Sequence, residues 1–253
     1  MAKGIAVWDN PRLLNGTAQA LVIAVLLACA LAALQALRRS PMFPLREVVI
    51  QGELKNVLRG DLESALQDIG GNFFAVKLDA VRARLEHVPW VRHVELRRVW
   101  PDRLEARLEE HVALARWGQV AGDLQSGGFV NTFGETFAGA MDEGSEAALP
   151  LFAGPAGTAA ELARRYRRFA QLLAPLQDVP ERITLTARHA WQLRLASGLQ
   201  LELGRDGAER VEARLERFVG AYAESLGRLE RRTQHVDLRY PNGFALRVLG
   251  SRG

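Results

Sequence analysis

Residues 17–37 read TAQALVIAVLLACALAALQAL, a run with no charged side chain in which Gln19 and Gln35 are the most polar members. A segment this apolar has to leave water, and a helix of about 20 residues at 1.5 Å rise matches a ~30 Å hydrocarbon layer. Arg38 and Arg39 close the run and Pro41 and Pro44 follow, so a membrane helix over 17–37 is expected to stop there and the chain to leave extended. Two other readings use the same residues. A cleaved secretory signal would have a shorter apolar core before a small-residue site; Ala28 and Ala30 are small, but the run continues past them. Leu26, Leu27, Ala28 and Cys29 resemble a lipoprotein box, yet apolar helix formers follow the cysteine where a polar tether is usual. The uncleaved anchor is favoured. Its orientation is not set by charge, because Lys3 and Arg12 on one side balance Arg38 and Arg39 on the other. A long folded domain translocates largely regardless of its charge, which permits a cytoplasmic tail of residues 1–16 with the bulk outside.

The remainder of the 253 residues is enough for two modest domains, and 48% hydrophobic with 25% charged residues is the composition of folded protein. The formal charge of +4 comes from arginines scattered among glutamates. The densest basic group, Arg164, Arg165, Arg167 and Arg168 around Tyr166, reads as the solvated face of a helix, so no nucleic-acid partner is expected. Attraction to anionic headgroups or to an acidic partner stays open. Cys29 is the single cysteine, which excludes an intrachain disulfide and any CxxC zinc or redox site. His87, His93, His111, His189 and His235 are dispersed, without metal-ligand spacing and without a G-x-S-x-G serine. The stretch GPAGTAAE at 154–161 lacks the lysine and preceding strand of a phosphate loop. The expectation is a protein that is not an enzyme, with no catalytic residue, cofactor, metal or small-molecule substrate.

Residues 45–50 read as a strand ending at Gly52. Asp61 is placed to cap a helix with Leu62, Ala65, Leu66 and Ile69 on one face, stopped by Gly70 and Gly71. Asp79 is placed to cap a second, carrying Val81, Leu85 and Val88 and ended by Pro89. The period then changes to two: Val94 and Leu96, then Leu104, Ala106 and Leu108 beyond Pro101, with Arg103, Glu105, Arg107 and Glu109 facing water. This predicts a βααββ unit, helices against one face of a three-stranded sheet.

The run PWVRHVELRRVWPDRLEARLEEHVALARW at 89–117 resembles the signature of the FtsQ/DivIB cell-division family, in which a POTRA domain with this element order follows a membrane span. Residues 128–137, with Asn131 and Gly134 at a turn, resemble the family's short hairpin, and LPLFAG at 149–154 its next segment. The sets Arg98, Trp100, Pro101 and Ala115, Arg116, Trp117 sharpen the likeness; their tryptophans are expected to pack in the core at strand ends. The resemblance implies a POTRA domain over 43–112 and an FtsQ-type β-domain over 113–250, an α+β fold class overall.

In the second module, Gly, Ala, Pro and Ser are frequent over 144–158, as in a loop. Thr158 and Glu161 fit a capping box for a helix with Leu162, Tyr166, Phe169 and Leu173 as its stripe. Beyond Pro175 and Pro180, strands are expected at 183–188, 191–195 and 199–203, then a helix with Val211, Leu215, Phe218 and Tyr222 on one side. The chain closes with a hairpin: Val236, Leu238 and Tyr240 alternate, Pro241, Asn242 and Gly243 turn, and Phe244, Leu246 and Val248 return.

TARHAWQLRL, LELGRDG and VDLRYPNG in this stretch are similar to the family's β-domain. The family's terminal strands bind FtsB, which comes paired with FtsL, by adding a partner strand to the sheet edge. Edge strands leave N–H and C=O groups that such a strand can satisfy. The resemblance puts Tyr240 and Gly243 in the binding hairpin and Arg188 on a neighbouring strand; Asn242, Phe244 and Leu246 complete the predicted partner surface. Asn242 and Val248 depart from the better-known members. Tyr240 could instead be a core aromatic at a strand end, but a terminal hairpin is where an unprotected edge is most expected. The implied role is a divisome scaffold that joins early and late division proteins: a single-pass, type II inner-membrane protein, mostly periplasmic, at the division septum. The alternative is a POTRA-bearing periplasmic transport or chaperone component that holds extended client segments.

Overall fold

The computed structural model describes residues 11–39, 43–67, 69–118, 127–207, 209–222, 233–240 and 243–248. The apolar run lies in helix α1 (Pro11–Arg39), whose stretch Asn15–Leu37 is long and apolar enough to cross a bilayer and has none of its residues buried within the protein. Exposed leucines at that density are stable only where the surrounding solvent is lipid. The helix fits a single-pass membrane anchor.

The chain forms two compact units. The first takes in the described residues up to Leu54, then Leu58–Val88 and His93–Glu109. Its elements are β1 (Glu47–Gln51), α2 (Arg59–Leu66), α3 (Leu78–Glu86), β2 (Val91–Val99) and β3 (Arg103–Glu110), the βααββ order the sequence predicts. The sheet order is β1-β3-β2, with β1 parallel to β3 and Glu47 opposite Arg103. Period two holds in β3, where Leu104, Ala106 and Leu108 are buried and Arg107 and Glu109 are exposed. Leu62, Phe73, Val81, Leu85 and Val94 join them in the core, while Leu96 is only half-buried. Gly52 has φ +147°, and a Cβ there would stand 2.6 Å from the Leu108 carbonyl oxygen, so the close pass of these backbones needs glycine.

Three local expectations fail here for identifiable reasons. Neither Asp61 nor Asp79 is an N-cap: the caps are Leu58 and Lys77, which make no side-chain capping bond. Each aspartate lies in the first turn instead, where its charge opposes the positive end of the helix dipole. α2 stops at Leu66, so Ile69 is not on its face. Trp100 is not in a core; it is 70% exposed at the tip between β2 and β3.

The second unit takes in Lys55–Val57, Pro89–Arg92 and the described residues from Glu110 onward. Trp90 is buried there against Phe129 and Phe137, ring centroids 5.6 and 5.0 Å away, with its Nε1 donating to the Ala140 carbonyl at 3.1 Å. The strands are β4 (Ala113–Gly118), β5 (Phe129–Asn131), β6 (Thr136–Phe137), β7 (Leu151–Ala153), β8 (Pro180–Leu185), β9 (Trp191–Leu195), β10 (Gln200–Gly204), β11 (Thr233–Asp237) and β12 (Ala245–Val248). They form one mixed sheet in the order β12-β11-β10-β9-β8-β7-β4-β5-β6. Pairs β4–β7, β7–β8 and β10–β11 are parallel. α4 (Glu143–Ala148) is a short surface helix, whereas α5 (Ala159–Leu173) packs on β8 and α6 (Val211–Ala221) on β10. Phe152, Leu162, Phe169, Ile183, Trp191, Leu201, Leu215, Phe218 and Val236 are the heart of the core. In β9 Trp191, Leu193 and Leu195 point inward and Gln192 and Arg194 outward, so the other face of the sheet is polar.

The Thr158 hydroxyl donates to the Pro155 carbonyl at 2.7 Å rather than capping α5, so the capping box is not formed. Tyr166 is half-buried, and Ala159 and Ala163 complete the inner stripe. β8 runs over Pro180–Leu185 and not over 183–188. Proline at a strand's first residue forfeits little pairing. Thr186 meanwhile closes a turn, its N–H donating to the Ala190 carbonyl and its own carbonyl accepting from His189 N–H.

Candidate partner-binding edge

β12 ends the sheet order, and among the described residues no strand lies outside it. Its inner flank pairs antiparallel with β11, Val236 opposite Leu246 and Asp237 opposite Ala245. The outer flank of a terminal strand presents every second pair of N–H and C=O groups to a visitor.

β11 is held in place from within. Val236 and Leu238 are buried, and Leu238 N–H donates to the Glu202 carbonyl at 2.9 Å. Asp237 is nearly buried and accepts Arg239 N–H at 3.0 Å, Arg239 Nε at 2.9 Å and Arg239 Nη2 at 2.6 Å. Arg239 also lies 3.7 Å from Glu202, which His235 approaches at 3.6 Å. Hydrogen bonding to Arg239 holds the Asp237 carboxyl below its ordinary value, and the arginine in turn is raised. A carboxyl with a depressed folded-state pKa contributes stability above its unfolded value, near 3.9, and that contribution disappears as pH falls through the folded value. Asp237→Asn should therefore flatten the loss of stability below about pH 4 relative to the parent, as denaturant titrations from pH 5 to pH 2 would measure.

This knot turns the chain outward, leaving Tyr240 55% exposed. Its backbone is gripped from α6: Arg217 Nη2 donates to the Tyr240 carbonyl at 3.2 Å, and Glu209 fixes Arg217 through contacts of 2.5 and 3.3 Å. Leu246 is also exposed. Gly243 is half-buried with open space where a Cβ would stand.

The remaining predicted contacts fare differently. Phe244 is half-buried and packs edge-on against Phe218 of α6 at 5.8 Å, which places it against the core. Arg188 sits in the turn between β8 and β9, not on a strand beside the hairpin; β10 is the inner neighbour of β11. Asn242 lies outside the described residues, as does Pro241. Arg217, Arg239 and Asp237 were not singled out by the sequence. The spacing of Asp237 and Arg239, two apart where β11 ends, was the available signal.

Among the described residues no group of three His, Cys, Asp or Glu is arranged to hold a metal ion. One helix of membrane-crossing length, a βααββ unit and a mixed sheet that ends, among the described residues, in β12 fit a membrane-anchored protein with two folded modules. The profile described as "POTRA domain, FtsQ-type" matches residues 43–111, and that described as "Cell division protein FtsQ/DivIB, C-terminal" matches residues 115–239. The chain is 40% identical over 248 residues to a protein named Cell division protein FtsQ from Burkholderia pseudomallei, covering 97% of this chain and 96% of that one. It is 38% identical to the Nitrosospira multiformis protein of the same name, over 95% of this chain and 99% of the relative. It is 32% identical to the one from Escherichia coli, over 80% and 72%. The chain belongs to the FtsQ/DivIB family of cell division proteins.

Proposed function

We propose that this protein is a non-enzymatic scaffold of the bacterial divisome that binds FtsB, paired with FtsL, by accepting a strand along β12. Residues 1–16 are the cytoplasmic tail, 17–37 cross the inner membrane, and a POTRA domain over 43–112 and a β-domain over 113–250 work in the periplasm at the septum. The observation that carries this reading is the position of β12 at the end of the sheet with exposed Tyr240 beside it. A partner strand gains backbone hydrogen bonds from the edge and selectivity from side chains that project next to it. Tyr240 supplies a large, stiff contact of that kind, and Leu246 and the backbone at Gly243 extend it.

Copurification of FtsB with the full chain in detergent tests the reading. Tyr240→Ala should weaken capture about tenfold, the size of a moderate interface anchor, without lowering the melting temperature, because the ring is exposed. Undiminished capture by that variant would remove Tyr240 from the site. A midcell band of the tagged chain is the expected cellular result. Displacement of FtsB by unrelated extended peptides would mark a client-holding component instead.

A further inference from the structure

The membrane anchor and the β2–β3 hairpin tip converge on one end of the first unit. Asn72 Nδ2 donates to the carbonyl of Leu37, the last residue of the membrane-length stretch, at 2.9 Å. The chain then pairs back along the same segment: Phe73 N–H donates to the Phe43 carbonyl at 2.8 Å and Leu45 N–H to the Gly71 carbonyl at 2.9 Å. Phe74 stands over Phe43 at 5.4 Å and is itself 37% exposed. The hairpin is tied to this place twice. Arg98 donates to the Phe73 carbonyl at 3.1 Å and to the Val76 carbonyl at 2.6 Å, and Arg46 N–H donates to the Asp102 carbonyl at 2.9 Å. Trp100, 70% exposed, projects between those two ties.

We propose that the Trp100 tip, with Phe74 beside the anchor's exit, lies in the headgroup layer of the bilayer that α1 crosses, so that the first unit is docked on the membrane surface and not merely tethered above it. The inference rests on α1 being the membrane anchor. Indole is amphipathic and settles at the boundary between hydrocarbon and water, where an exposed tryptophan in solution would only cost. Position decides the partner: a bilayer is already present at the carbonyl of Leu37, and no soluble protein has that guarantee. Charge agrees. Arg98 has no carboxylate partner among the described residues, which leaves positive charge two residues from Trp100, favourable to anionic headgroups.

The test uses the full chain with Cys29→Ala, in vesicles of phosphatidylethanolamine and phosphatidylglycerol, carrying one nitroxide at a time through Trp100→Cys, Leu26→Cys or Glu109→Cys. Glu109 is exposed near the far end of β3, about 20 Å from the hairpin tip at the strand's rise per residue. The expected result is loss of access to an aqueous nickel reagent at 100 while 109 remains accessible and 26 reports lipid. Equal access at 100 and 109, with 26 in lipid, overturns the docking and leaves the anchor standing. Aqueous access at 26 overturns the anchor and the docking with it. In the unlabelled chain Trp100→Phe should also remove part of the tryptophan emission quenched by brominated lipid, and unchanged quenching counts against the proposal.

Discussion

Leu246→Pro should reduce partner capture about tenfold while the rest of the second unit stays folded, the size expected when one main-chain hydrogen bond of about 1 to 1.5 kcal/mol is lost. Proline removes an N–H and fixes φ, so β12 has one donor fewer to offer a strand laid against it. The remaining fold tolerates this because Ala245 and Leu246 are exposed and the apolar anchor of the segment is Phe244 on Phe218. Leu246→Ala is the necessary companion: it trims the same side chain and keeps the N–H, so it should weaken capture only a few-fold, in line with a rim contact. Titration of FtsB against both variants, with a thermal melt of each, separates the cases. Equal losses for Pro and Ala would mean that side chains and not the backbone edge carry the contact.

Much of this architecture is readable from residue order alone, because it is dictated by burial. A charge-free stretch of membrane length has one stable setting, and the alternation Leu104, Ala106, Leu108 places β3 with one face inward as observed. The same holds for Leu162, Phe169 and Leu173 on α5 and for Val211, Leu215 and Phe218 on α6. What pattern does not fix is where polar atoms spend their hydrogen bonds. Thr158 has the right spacing from Glu161 for a cap, yet its hydroxyl finds the Pro155 carbonyl. Asp237 lies on a strand face that should be wet, yet Arg239 folds back and covers it. The candidate edge was legible as a place, since the last hairpin of a sheet tends to lie at its margin, but its membership was not. Phe244 and Tyr240 are both aromatic and both near the turn; only the packing of α6 decides that the first goes in and the second out. Trp100 shows the same limit from the other side. An aromatic beside a strand end is usually core, yet Trp100 stands 70% exposed at the β2–β3 tip, which alternation along the strands does not reveal.

Asn131→Leu should lower the stability of the second unit by about 3 kcal/mol, for a fall in melting temperature on the order of 10 °C in a unit of this size. Asn131 is fully buried at the end of β5. Its Oδ1 accepts Phe133 N–H at 2.9 Å and Glu135 N–H at 2.8 Å, and its Nδ2 donates to Glu135 Oε2 at 2.6 Å and faces His111 Nδ1 at 2.9 Å. Leucine has the same branching with bulkier ends, so no cavity is left; the loss comes from crowding and from buried groups left without partners. The damage spreads through Glu135, whose carboxyl is held below its usual range first by Arg92 and then by Asn131, and which keeps Arg92 in place over the Phe133 ring at 3.8 Å. Asn131→Asp makes the point a second way. It keeps both backbone acceptor bonds but sets a carboxylate against that of Glu135, so it should be destabilising near pH 7 and should recover part of the deficit as the pair takes up a proton in acid. β12 ends the sheet and β5 lies seven places from it in the sheet order, so the folded fraction of either variant should still capture the partner. If the leucine variant melted within 1 °C of the parent, the hairpin would be held by its apolar contacts with Trp90, and the polar knot around Asn131 would be incidental to the fold.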